Sequence, residues 1–201
     1  MSRRTVAALV AAGALISAAT ADAGVIRGTA GGDTLDGTAK ADRIYAGPGN
    51  DVVHGRAGND RILGGRGDDR LFGGPGTDFI FGGPGKDDIF GGPGGDTIHG
   101  DGGNDTIHGD AGADVVSGGP GNDTIYGGSG DDRLRGDAGN DVIYAGSGEN
   151  VIEGGAGNDV IYARNGAQDT IYCGPGVDTA VVDAREDGVF DCEKVMYPKG
   201  S

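Results

Sequence analysis

Gly118-Gly119-Pro120-Gly121-Asn122-Asp123-Thr124-Ile125-Tyr126 reads G-G-x-G-x-D-x-U-x, with U a large aliphatic residue. The same nine-residue phrase recurs in phase fifteen times between Gly28 and Tyr162. Its eighth position is aliphatic in every copy: Leu35, Ile44, Val53, Ile62, Leu71, Ile80, Ile89, Ile98, Ile107, Val116, Ile125, Leu134, Ile143, Ile152 and Ile161. Such a column points inward, and in a strand its immediate neighbours point outward. One large buried side chain per nine residues makes no core alone, so copies must stack into a solenoid. Positions 7 to 9 are expected as a short strand and positions 1 to 6 as a turn. Gly holds position 4 in fourteen copies, with Lys40 the exception, and Pro48, Pro75, Pro84, Pro93 and Pro120 preset a turn dihedral at position 3.

Position 6 carries the chemistry. It reads Asp33, Asp42, Asp51, Asp60, Asp69, Asp78, Asp87, Asp96, Asp105, Asp114, Asp123, Asp132, Asp141, then Asn150, then Asp159. Stacked copies would line these carboxylates up about 5 Å apart, the inter-strand spacing. Bare neighbours at that distance repel by roughly 1 kcal/mol in water and about 3 kcal/mol at an effective dielectric of 20. Summed along the ladder, this rivals the stability of a whole domain, about 5–15 kcal/mol. A cation must therefore sit among them. Carboxylates with turn carbonyls, and no Cys or His, make a hard oxygen site. Ca²⁺ suits it better than Mg²⁺, which demands octahedral geometry and resists dehydration. An Asp that merely bonds its own turn explains single positions, but not one phase held across the array.

On these residues the array resembles the RTX, or hemolysin-type, calcium-binding nonapeptide repeat. The resemblance implies an all-β fold: a right-handed parallel β-roll with two nonapeptides per coil. It also implies Ca²⁺ between successive coils on each edge, held by Asp side chains and turn carbonyls. Each ion would bridge repeats two apart, such as Asp51 with Asp69 or Asp60 with Asp78. Lys40 in the second repeat and Asn150 in the fourteenth depart from the pattern. The charge of about a dozen ions would exceed that of the chain beyond residue 23, so some slots stay empty or anionic groups join in. Asp101, Asp110 and Asp137 at position 2 are local candidates.

With two repeats per coil, alternate copies share a sheet. Position 9 then runs Asp36, His54, Phe72, Phe90, His108, Tyr126, Tyr144 and Tyr162 along one outer face. Cross-strand stacking that stabilises the sheet accounts for such a ladder. The sharper expectation is a surface-binding face, through Phe72, Phe90, Tyr126, Tyr144 and Tyr162, for an extracellular polysaccharide or a surface protein. The three His residues are too far apart, or on different sheets, to form a zinc site.

The flanks frame the array. Arg3 and Arg4 precede an apolar run from Val6 to Ala19, and Ala21-Asp22-Ala23 is a small-x-small cleavage signature. Residues 1–23 are expected as a cleaved secretory signal peptide, which makes the chain extracellular. The apolar run is too short for a membrane span. The roll is expected over residues 24–162. Residues 163–201 are expected as an imperfect repeat, including the candidate ligand Asp178, followed by a cap. The only two Cys, Cys173 and Cys192, are expected as a disulfide in an exported chain. Their surroundings, a Cys-Gly-x-Gly-x-Asp turn and then Asp191-Cys192-Glu193, also resemble stand-alone secreted members of the family.

The whole chain has 201 residues, 46 Gly, no Trp and a net charge of −15. That acidity excludes an electrostatic footprint for nucleic acid or anionic membrane. No G-x-S-x-G or complete phosphate loop is present, and every Asp has near-identical neighbours, so no enzyme is expected. An auxiliary partner of a separate secreted enzyme is the remaining alternative role.

Overall fold

The computed structural model describes residues 15–17, 24–183 and 188–197. The expected signal peptide lies outside the described residues except for Leu15–Ser17, which pair in parallel with Thr34–Asp36. Residues 184–187 and 198–201 also lie outside.

Among the described residues, strands alternate between two wholly parallel sheets, one of eleven strands and one of ten. Each strand pairs with the one two further along the chain. Ile107 sits beside Ile89 and Ile125, while Ile98 sits beside Ile80 and Val116. The repeat is nine residues but the coil is eighteen, as the alternating faces required. The aliphatic column from Leu35 to Ile161 is 0–2 % exposed and forms one continuous core between the sheets.

Many strands are longer than the expected three residues. Arg43–Pro48 and Thr124–Ser129 run from position 7 through position 3 of the next copy. Position 1 therefore faces inward as well, two residues after the core aliphatic. It must be small. Ala46 and Ala145 are fully buried there, and a Cβ on Gly64 would fall 2.5 Å from Asp69 Oδ2 and 2.6 Å from the Gly82 carbonyl.

The stack continues past Tyr162. Thr170–Tyr172, Thr179–Val182, Gly188–Phe190 and Lys194–Met196 extend the same two sheets, so the C-terminal segment closes the roll with further coils. Ala163 keeps the buried place of position 1, the turn between it and Asp169 holds one extra residue, and the offset between coils becomes nineteen, as in Ile152 beside Ile171. Cys173 and Cys192 form the expected disulfide, with Cα atoms 5.1 Å apart. A loop of this length contributes about 3 kcal/mol in the chain-entropy account.

Candidate metal centres

Every position-6 side chain from Asp33 to Asp159, and Asp178, is buried to 0–3 % exposure. The strand that follows fixes each one, since position 8 anchors in the core two residues later. The two carboxylate oxygens do different work. Oδ1 accepts the backbone N–H of the Asp one coil earlier: Asp87 N–H donates to Asp105 Oδ1 at 2.8 Å, and Asp96 N–H to Asp114 Oδ1 at 2.7 Å. This ladder runs from Asp33 to Asp178 along both edges. The Asp residues are therefore structural as well, but they bond the adjacent coil rather than their own turn.

Oδ2 is the open oxygen. It has no hydrogen-bond partner in Asp51, Asp60, Asp69, Asp78, Asp87, Asp96, Asp105, Asp114, Asp123, Asp132, Asp141, Asp159 and Asp178. A buried oxygen without a donor is costly, and a buried charge more so. Burial is the main cause raising the carboxylates from Asp51 to Asp159 above the ordinary range, only partly offset by the neighbouring coil's N–H. Asp60, Asp87, Asp96, Asp123 and Asp141 are held at about 7, and Asp69, Asp78, Asp105, Asp114 and Asp132 at about 6. Asp51 and Asp159 are also raised, again chiefly by burial. Charges on adjacent coils push in the same direction, as Asp78 and Asp42 do on Asp60.

Turn carbonyls complete the slots. A Cβ on position 2 or position 4 of one coil would overlap the carbonyl at the same position of the coil before, as with Gly83 on Gly65 and Gly85 on Gly67. Among the described residues no three His, Cys, Asp or Glu side chains converge on one point. A cation there would draw on backbone carbonyls together with the open Oδ2. Hard, uncharged oxygens plus a carboxylate, in an adaptable cradle, fit Ca²⁺.

The two ends differ. Asp33 and Asp42 have their Oδ2 taken by Thr29 and Thr38: each Thr donates its backbone N–H, at 2.6 and 2.7 Å, and its hydroxyl, at 2.9 and 2.8 Å. Asn150 keeps the ladder by accepting the Asp132 N–H at 2.9 Å, but it has no second carboxylate oxygen. Three contributors escape the sequence pattern. Asp169 is a true position-6 residue, fully buried and accepting the Asn150 N–H at 2.8 Å, hidden from a nine-residue register by one extra residue in the turn after Ala163. The phrase Asp169-Thr170-Ile171-Tyr172 was the available signal. Glu193 ends one ladder by accepting the Asp178 N–H at 2.7 Å. Position 5 carries an outer ladder of opposite sense, each N–H donating to the side chain one coil earlier, as Asn140 N–H to Asn122 Oδ1 at 2.7 Å.

The ring column is one stack. His54, Phe72, Phe90, His108, Tyr126, Tyr144 and Tyr162 lie 4.6–5.1 Å apart with interplanar angles of 4–9°. Two rings separate His54 from His108. Their faces are covered by one another, so the stack offers edges and tyrosine hydroxyls to the outside, with Tyr144 and Tyr162 exposed. Among the described residues no helix is long and apolar enough to cross a membrane.

A family described as the RTX calcium-binding nonapeptide repeat (4 copies) matches in overlapping windows, residues 27–62, 54–89, 63–98, 81–116, 90–125, 117–152, 126–161 and 144–180. Comparison with curated proteins gives no match.

Proposed function

Because the chain belongs to the RTX calcium-binding nonapeptide-repeat family, we propose that it is an exported, non-enzymatic protein whose roll orders when Ca²⁺ enters the slots between coils. The observation that carries this is the row of thirteen buried Oδ2 atoms without donors. Without a cation they oppose folding; with one, binding energy becomes folding energy. The N-terminal Arg pair, apolar run and Ala21-Asp22-Ala23 support passage through a general secretion route. The chain would cross unfolded and self-repelling, then fold outside, where Ca²⁺ is plentiful.

The test is far-UV circular dichroism of Gly24–Ser201 in chelator at neutral pH, titrated with Ca²⁺ against a Mg²⁺ control. A coil-to-β transition with Ca²⁺ alone is expected. A β-spectrum present in chelator and unmoved by Ca²⁺ would overturn the reading.

The ring stack favours a second reading, in which the roll is a scaffold that attaches to an extracellular polysaccharide or surface protein through ring edges and hydroxyls. Replacing Tyr126 and Tyr144 by Ser should then abolish attachment while leaving the calcium transition in place. An auxiliary role beside a secreted enzyme would show instead as co-purification of that enzyme.

A further inference from the structure

Position 2 of each copy separates the open Oδ2 atoms from the closed ones. It is at positive φ in every copy from Gly47 to Gly155, and again at Gly174. That includes Arg56 (φ 82°), Asp101 (φ 69°), Asp110 (φ 73°) and Asp137 (φ 75°), whose side chains do not favour it. In each of these copies whose sixth residue is Asp, Oδ2 has no donor. Thr29, Thr38 and Asn165 occupy position 2 without a positive φ. In all three copies the residue at position 2 donates to Oδ2 of the Asp four residues on.

Asn165 shows what this donation replaces. Its side-chain nitrogen donates to the Gly146 carbonyl at 2.8 Å, the Gly148 carbonyl at 3.1 Å and Asp169 Oδ2 at 3.1 Å. Those are the position-2 and position-4 carbonyls of one coil and the position-6 carboxylate of the next. They are the same oxygens that would hold a cation in the middle of the roll. The side chain is itself fixed, because Asn165 Oδ1 accepts the Ala167 N–H at 2.7 Å. The slot one level away on the other edge pairs the Gly155 and Gly157 carbonyls with Asp178 Oδ2. It has Gly174 at position 2 and no such donor.

We infer that position 2 decides which slots accept Ca²⁺, and that Asn165 permanently fills one slot with an amide in place of the ion. This rests on the calcium reading above. The amide carries two N–H donors, shared among the three oxygens, and no net charge of its own. Removing it frees the Gly146 carbonyl and Asp169 Oδ2, while the Gly148 carbonyl, which also accepts the Asn150 side-chain amide at 3.2 Å, keeps its second lone pair for an ion. Together with Asn150, it makes the edge bearing Asp60 to Asp132 stop binding ions at Asp132, while the other edge continues through Asp178.

The test is to count Ca²⁺ per intact chain by native mass spectrometry at saturating Ca²⁺, for the natural sequence, Asn165→Gly and Asn165→Asp. Glycine removes the amide and admits a positive φ; aspartate keeps the shape and replaces the donor with an acceptor. Each variant is expected to hold one more ion than the natural chain. If the natural chain binds Ca²⁺ and both variants, folded by circular dichroism, hold the same number, Asn165 does not fill a slot and the inference fails alone. If the natural chain binds none, the calcium reading itself fails. Independently, the Asn165 side-chain amide protons in the Ca²⁺-loaded protein should exchange with solvent at least tenfold more slowly than those of the surface Asn122. Equal exchange would also overturn the assignment.

Discussion

The middle of the roll and its two ends are built from the same phrase but treat one atom differently. At Asp105 or Asp114 the second carboxylate oxygen is buried with nothing to accept from. At Asp33, Asp42 and Asp169 it receives a donor from the chain's own position 2. The first carboxylate oxygen bonds the preceding coil's backbone at Asp42, Asp105 and Asp169 alike, whereas Asp33 Oδ1 is buried without a donor. A single Asp thus serves as a seam between coils through one oxygen, while its other oxygen is open at Asp105 and closed at Asp169. On the proposed calcium reading, the coils bearing Asp33, Asp42 and Asp169 would need an ion at those positions less than the coils of the middle.

Substituting glycine should widen that contrast most. A Cβ on Gly94, at φ 148°, would land on the Gly76 carbonyl, a rigid backbone atom of the adjacent coil. Gly94→Ala should cost about 3–5 kcal/mol from overlap and strain together. Gly166 near the end, at φ 77° with nothing near its Cβ position, should cost only about 1 kcal/mol as Ala. Thermal unfolding in saturating Ca²⁺ compares the two, and equal losses would mean that the coils are less tightly apposed than the register demands.

Acidity should act on the middle. The twelve raised carboxylates lie between Asp51 and Asp159, and those with the largest shifts sit at about 6–7 against an ordinary value near 3.9. Between about pH 4 and pH 7 the folded, ion-free chain binds more protons than the unfolded one. Its stability therefore falls as pH rises through that window and returns as pH drops. Chelated protein should show more β-structure at pH 5 than at pH 8. With Ca²⁺ present the order reverses, because protons compete for the same oxygens. A chelated protein equally unfolded at both pH values would mean that Oδ2 burial is not what holds the middle open. The substitution Asp105→Asn tests the same point locally: it should stabilise the chelated chain by about 1–3 kcal/mol and lower the ion count by one.

The smallest effect belongs to the rings. Tyr144→Ser removes two stacked pairs and should cost about 1–3 kcal/mol, whereas Phe190→Ser, near the end, removes only its pair with Tyr172 and should cost about 0.5–1.5 kcal/mol. Melting temperatures in Ca²⁺ report both, and a larger loss for Phe190 would invert the comparison.

Much of this was legible in the residues. An aliphatic every nine positions forced stacking, and two sheets followed from burying one face of each strand. The ring column, the Asp ladders and the Cys pair then fell into place. Asp169 was not legible because one residue inserted in the turn after Ala163 moves it out of phase while three-dimensional pairing absorbs the insertion. The role of position 2 was hidden for a different reason. Thr, Asn, Asp, Arg and Gly all suit a turn, and the sign of φ at Arg56 or Asp101 is imposed by the neighbouring coil rather than by local preference. Only the stacked backbone distinguishes Asp137, which leaves its slot open, from Asn165, which closes one.

Because successive copies change sheets, the chain has a parity. Inserting or losing eighteen residues within the array lengthens or shortens the rod and leaves every downstream side chain on its own side. Inserting or losing nine transposes everything that follows. The tyrosines of Tyr126, Tyr144 and Tyr162 would leave the file begun by His54 and Phe72, and Asn165 would face the opposite edge. The length of such a protein is free to drift by whole coils, while its surface inscription survives only even steps.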